Sequence, residues 1–185
     1  MEMQQVMAIC ESIPGWMYPA ELQWLYEQAR SRPYIVEIGV YQGRSTVALA
    51  AGTPGHVIGI DSWEGGPKER EVWHPEFATA EGRDAVYLAA WQNLRERPVT
   101  LLRVDSARAW TVLKAEIDML FHDGAHDENS LRRDILSYSP LMARGGLWCG
   151  HDYNPSWPGV MRAVDDIFGG RVKRGPGSIW FVEEK

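Results

Sequence analysis

"PYIVEIGVYQGRSTVALAAGTPGHVIGID", residues 33–61, carries the pattern from which the rest of the chain can be placed. A β-rich apolar run from Tyr34 to Ile38 stops at Gly39. Small and apolar residues then continue as a helix closed by Gly52, and a second β-rich run, "HVIGID", ends on Asp61. Strand, glycine turn, helix and strand in that order make a crossover unit, because two neighbouring parallel strands cannot be joined by a tight hairpin.

The same alternation extends downstream. Tyr87, Ala90, Trp91 and Leu94 recur at helical spacing, and "VTLLRVD" (99–105) reads as a third strand ending in an acid. "SARAWTVLK" (106–114) is a short helix and "IDMLFHD" (117–123) a fourth strand. "ENSLRRDILSYSPLM" (128–142) is a helix with Leu131, Ile135 and Tyr138 on one face, and "GGLWCGHD" (145–152) a fifth strand. Val160, Val164, Ile167 and Phe168 mark a further helix. The end, "RVKRGPGSIWFVEEK", reads as two short strands joined through "GPGS". Upstream, Val6, Ile9, Cys10 and Ile13, and then Leu22, Leu25, Tyr26 and Ala29, form two short helices.

The expectation is therefore an α/β fold: a Rossmann-like, doubly wound, mostly parallel seven-stranded sheet with a C-terminal antiparallel strand and helices on both faces. One domain is expected over 1–185, with N-terminal helices in 1–32 and the core in 34–183, since 185 residues suffice for one core and fall short of two.

Composition narrows the partners. A formal net charge of −6 argues against a nucleic-acid footprint, which would show as a basic face. No run approaches 18 apolar residues, and "MEMQQVMAICESIPGW" lacks the basic flank and apolar core of a signal peptide, so no membrane partner and a cytoplasmic location are expected. Cys10 and Cys149 have no CxxC spacing and read as buried free thiols. A small molecule is the expected partner, and the aromatics of the first 30 residues make a homodimer an expectation too.

In open α/β sheets the ligand sits beyond the carboxyl ends of the strands. Glu37, Asp61, Asp105, Asp123 and Asp152 fall at or near five such ends. Crowding so many carboxylates on one rim costs energy unless a ligand or cation offsets it. The bland alternative, sharpest for Asp105, is that an acid there caps the next helix. Gly39 and Gly43 let a ligand approach the backbone closely, and Asp61 at the end of the next strand can accept both hydroxyl protons of an adenosine ribose. The third glycine of the dinucleotide fingerprint is missing, which disfavours NAD and FAD.

"VEIGVYQGRST" (36–46) with "GIDSWEG" (59–65) resembles the first two motifs of class I S-adenosylmethionine-dependent methyltransferases. The likeness is to the macrocin O-methyltransferase-like and cephalosporin-hydroxylase-like branch, methyltransferase domain family 24, which shows "DSFEG" where this chain has "DSWEG". "FHDGAHDENSLRRDILSYSPLMARGGLWCGHDY" (121–153) is similar to that branch's D-G-x-H, helix, glycine pair and terminal acids. The resemblance implies S-adenosyl-L-methionine as cofactor. It implies Glu37, Gly39 and Gly43 at its methionine end, Asp61 with Ser62 at the ribose, Asp105 with Ser106 at the adenine, and Asp123 at the pocket's edge. Ser45 either touches the cofactor carboxylate or caps the helix.

Asp123 and Asp152 end strands expected to be neighbours about 5 Å apart, so their carboxylates can converge on one cation. Oxygen-rich ligation suits Mg²⁺, with Mn²⁺ as the alternative. The resemblance implies an acid after the fourth strand and an acid pair after the fifth. The pair position here reads His151-Asp152, which makes His151 a candidate ligand with Asp123 and Asp152. His126 stands where one branch of related enzymes places a lysine base, and a neutral imidazole can take a hydroxyl proton. His126 and Asp123 are thus the catalytic candidates for O-methylation, with His126 or an Asp as base. The alternatives for His126 are to cap the next helix or to bind the metal. His122, one residue before Asp123, is expected to face the other way. The long segment "SWEGGPKEREVWHPEFATAEG" (62–82), with Trp63, Trp73, His74 and Phe77, is the candidate acceptor lid. Two rival readings stand beside this one: a metal-dependent hydrolase built on the histidines and aspartates, and a non-catalytic nucleoside-binding module.

Overall fold

In the computed structural model, which describes residues 2–66 and 74–183, the elements follow the expected order. Helices α1 (Met3–Ser12) and α2 (Pro19–Ala29) precede β1 (Tyr34–Ile38), α3 (Arg44–Gly52) and β2 (His56–Asp61). Then come α4 (Ala80–Leu94), β3 (Val99–Arg103), α5 (Ser106–Ala109), β4 (Ile117–His122), α6 (Glu128–Tyr138) and β5 (Met142–Gly150). The chain closes with α7 (Pro158–Phe168), β6 (Lys173–Arg174) and β7 (Trp180–Glu183). The strand order is β3-β2-β1-β4-β5-β7-β6, and only the last two strands run antiparallel to their neighbours. The order reverses between β1 and β4, which places the switch point, and the crevice it opens, at Gly39 and Asp123.

Successive strand residues point to opposite faces, so each strand feeds two cores. Ile35, Val57, Met119, Phe121 and Leu147 pack under α1, α2, α3 and α4. Val36, Ile60, Leu120, Trp148 and Trp180 pack under α6 and α7 through Leu131, Ile135, Tyr138, Val160, Val164 and Phe168. Burial on both faces explains why the parallel strands read as nearly unbroken apolar runs rather than as alternating ones. No helix among the described residues is long and apolar enough to cross a membrane.

Three local expectations change. α4 starts at Ala80, within the segment read as loop, because the Thr79 hydroxyl accepts from Gly82 N and caps it. Its buried face is Val86, Ala90 and Leu94, while Trp91 is 46% exposed. β3 stops at Arg103, two residues short of Asp105. Asp105 instead caps α5 by accepting from Ala107 N at 2.8 Å, so the helix-capping alternative describes its contacts.

Candidate cofactor and acceptor site

The loop from Gly39 to Gly43 carries β1 into α3 across the switch point. Gly39 sits at φ 92°, and a Cβ there would overlap the carbonyl of Asp123 on the neighbouring strand. Only glycine lets these two strand ends meet. Gly43, also at φ 92°, is the N-cap residue of α3. Between them Tyr41 is held at φ 50°, a conformation that L residues rarely adopt.

Asp61 fixes this loop. Its Oδ2 accepts from Val40 N and Tyr41 N at 2.9 Å each, and its Oδ1 accepts from Trp63 N at 2.7 Å. Trp63 is fully buried against Tyr87 and donates its indole N–H to Tyr41 O at 2.7 Å, so it pins the loop from below. That burial takes Trp63 out of the expected lid. Phe77 is buried as well, and His74 packs on the rings of Trp16 and Tyr41. Trp73 lies outside the described residues. Ser62 Oγ accepts from Glu64 N at 3.2 Å.

Glu37 lies beneath the loop with no exposure. Its Oε1 accepts from Ser45 Oγ at 2.5 Å, so Ser45 does not cap α3, and its Oε2 is buried with no hydrogen-bond partner among the described residues. Burial pushes the Glu37 carboxyl up to about 8; the Ser45 and Thr46 hydroxyls pull against this, and Asp123 and Asp61 add to it. The folded chain therefore holds a proton that the unfolded chain releases, and stability falls as pH rises from about 4.5 to about 8. Glu37→Gln keeps the acceptor for Ser45 and removes the titration. In the cofactor-free protein, the variant is expected to gain on the wild type by about 3.5 kcal/mol between pH 5 and pH 8. Urea unfolding at the two pH values checks this, and an unchanged gap would mean that Glu37 ionises freely.

At the other side of Gly39, β4 and β5 end in register, with His122 opposite Gly150. Asp123, His126 and Asp152 converge there, with candidate donor atoms all within 4.8 Å of one another. His126 Nε2 lies 2.8 Å from Asp152 Oδ2, and its ring stacks on Trp157 at 4.1 Å. Burial raises the Asp123 carboxyl to about 6; His151 opposes the shift and the like charge of Asp152 reinforces it. Burial also acts to raise Asp152, but its hydrogen bonds to His126 and His151 outweigh this and hold it well below the usual range. Two carboxylates this close do not both carry charge easily, and a cation between them would relieve that. The donor set of two carboxylates and an imidazole thus fits a divalent metal.

His151, the third expected ligand, divides its ring nitrogens between Glu21 and the two aspartates. Its Nε2 lies 3.0 Å from Glu21 Oε1, and its Nδ1 faces Asp152 Oδ1 at 3.3 Å and Asp123 Oδ1 at 3.6 Å. Burial disfavours its charge, yet Asp123, Asp152 and Glu21 raise it to about 11. Among the described residues it is His126, rather than His151, that joins Asp123 and Asp152 in the group of donor atoms lying within 4.8 Å of one another.

His122 faces the opposite way, as its position in the strand requires. It is buried and paired with Asp134 at 3.2 Å. Asp134 also accepts from Ser106 Oγ at 2.8 Å, so this acid of α6 holds the residue expected at the adenine. Neither Asp134 nor Glu21 stood out in the sequence. Both sit in amphipathic helices where an acid ordinarily faces water, and only their buried partners reveal them.

Comparison with known proteins agrees with this architecture. The methyltransferase domain family matches residues 36–153. A tRNA (guanine-N(7)-)-methyltransferase of Nocardioides sp. is 32% identical over 190 residues, covering 86% of this chain and 69% of that protein. The O-methyltransferase NovP superposes with a TM-score of 0.69 at 18% identity, over 90% of this chain and 80% of its own. An O-methyltransferase from Bacillus cereus, solved in complex with SAH, superposes with a TM-score of 0.61 at 19% identity, over 98% and 90%. Taken with a glycine loop at the switch point and an acid at the end of the second strand, these matches show that the chain belongs to the methyltransferase domain family, among the class I S-adenosylmethionine-dependent methyltransferases.

Proposed function

We propose that this methyltransferase transfers the cofactor's methyl group to a hydroxyl oxygen of a small molecule held over Asp123, His126 and Asp152. The observation that carries this reading is the convergence of those three side chains beside Gly39, on the far side of the glycine loop from Asp61. The cofactor would lie across that loop, with its ribose at Asp61 and Ser62, its methionine end at Glu37, Gly39, Gly43 and Ser45, and its adenine near Ser106. Glu37 Oε2, which has no hydrogen-bond partner among the described residues, would accept from the ammonium of the methionine moiety once that positive charge draws off the carboxyl proton.

Methyl transfer is an in-line displacement at a sulfonium carbon, so the chain's tasks are to align donor and acceptor and to take one proton. Asp123 and Asp152 are the oxygen donors proposed for a divalent cation, with Mg²⁺ first and Mn²⁺ second. Such a cation, when bound, polarises the acceptor hydroxyl and favours its deprotonation. His126, oriented by Asp152 and by its stacking on Trp157, is the proposed proton acceptor.

The name of the Nocardioides relative raises a second acceptor, guanine N7 of tRNA. That nitrogen already carries a lone pair and gives up no proton, so a carboxylate pair and a poised imidazole would have nothing to do. A net charge of −6 also opposes binding to a phosphate backbone. Methyl-labelled cofactor offered with a panel of hydroxylated small molecules, and separately with unmodified tRNA, tests the choice. Transfer to a hydroxyl that stops with EDTA and returns with Mg²⁺ supports the proposal, whereas chelator-insensitive labelling of tRNA alone would sink it.

A further inference from the structure

Glu21 lies on α2, and Ser178 in the turn before β7; both fall outside the residues matched by the family. Glu21 is nonetheless 1% exposed, and three groups converge on its carboxylate. Oε1 accepts from Ser178 N at 2.9 Å and meets His151 Nε2 at 3.0 Å, while Oε2 accepts from Tyr18 N at 2.7 Å. An ionised carboxylate only accepts, so His151 Nε2 carries the proton of that contact and the ring orientation is set. The other ring nitrogen then faces Asp152 Oδ1 and Asp123 Oδ1.

The second arm of the contact reaches the same residue through the backbone. Ser178 Oγ accepts from Asp152 N at 3.1 Å, and Ser178 O accepts from Tyr153 N at 3.0 Å. Asp152 is held between them at φ 62°, an unfavourable conformation for a residue with a side chain. Gly177, at φ 58°, makes room for this arrangement, because a Cβ there would overlap Glu21 Oε1. One carboxylate from the N-terminal helices thus grips Asp152 twice, by its side chain through His151 and by its backbone through Ser178.

We infer that Glu21 is a positioning residue, which holds the Asp123–Asp152 pair in the geometry that receives the cation. The inference rests on the proposed function, in which those carboxylates are the cation's donors. Groups behind the ligands commonly change metal affinity by about 10–100-fold when removed.

The test uses the full chain, with Mn²⁺ titrated calorimetrically into the S-adenosylhomocysteine complex of wild type, Glu21→Gln and Glu21→Ala. Glu21→Gln keeps the shape and one acceptor, so it covers the case in which the alanine variant does not fold. Expected for Glu21→Gln is Mn²⁺ affinity lowered at least ~10-fold, with S-adenosylhomocysteine affinity in the absence of metal within ~3-fold of wild type. Lower thermal stability with unchanged Mn²⁺ affinity would make Glu21 a structural residue only and overturn the inference. If wild type binds no Mn²⁺, the metal reading itself falls. Glu21 is then judged by the ¹⁵N ring signals of His126, whose Nε2 meets Asp152: a shift in Glu21→Gln sustains positioning, and identical signals refute it.

Discussion

Asp61→Ala is expected to weaken binding of S-adenosylhomocysteine by at least ~100-fold, close to 2.7 kcal/mol. The carboxylate is proposed to bind the ribose hydroxyls, and it also accepts three backbone N–H groups, from Val40, Tyr41 and Trp63. Hydrogen bonds to a charged acceptor are worth about 1.5–3 kcal/mol each, and alanine leaves all three donors without it. Tyr41 then has less to keep it at φ 50°, so the loop relaxes away from the shape that brings Gly39 against Asp123. Asp61→Asn retains acceptors on one side only and should fall between the two. Calorimetry without metal gives the answer, and wild-type affinity in the alanine variant would remove Asp61 from the cofactor site.

The second large effect concerns the acceptor side. Asp123→Asn and Asp152→Asn are each expected to lower methyl transfer by about 10³-fold while cofactor affinity stays within about 3-fold, on the scale of losing one acid–base or cation-holding group. Stability should move little in Asp123→Asn, because burial and the charge of Asp152 already make an ionised Asp123 unfavourable. Lost turnover without lost stability is the mark of a residue kept for chemistry. His126→Gln separates base from ligand: a fall of about 10²-fold in rate with Mn²⁺ affinity retained assigns it the proton, and loss of Mn²⁺ affinity assigns it to the metal. Full activity in either aspartate variant would contradict the proposed site.

Much of this was legible in the sequence, for identifiable reasons. Parallel strands buried on both faces are apolar throughout and are punctuated by glycines and acids, so β1, β2, β4 and β5 and their helices could be placed from the pattern alone. Asp61, Asp123 and Asp152 could be singled out because strand ends in such sheets share one rim. What escaped depends on distance or on small shifts in register. Glu21 meets a partner 130 residues away, so no local period marks it. That contact takes up one ring nitrogen of His151, while His126 joins Asp123 and Asp152 in the cluster. β3 ends two residues early, which makes Asp105 an exposed helix cap. Trp63 reads as a loop aromatic, yet its N–H bond to Tyr41 O draws it wholly inside.

In the function proposed above, the pair Asp123–Asp152 holds a divalent cation beside the cofactor. This is tested most directly by a crystal structure of the chain grown with S-adenosylhomocysteine and Mn²⁺, using the anomalous signal of manganese. The expected result is one manganese peak bonded to carboxylate oxygens of both Asp123 and Asp152, with His151 still on Glu21 and the ligand's ribose at Asp61. S-adenosylhomocysteine bound in its pocket with no manganese between those carboxylates would contradict the account.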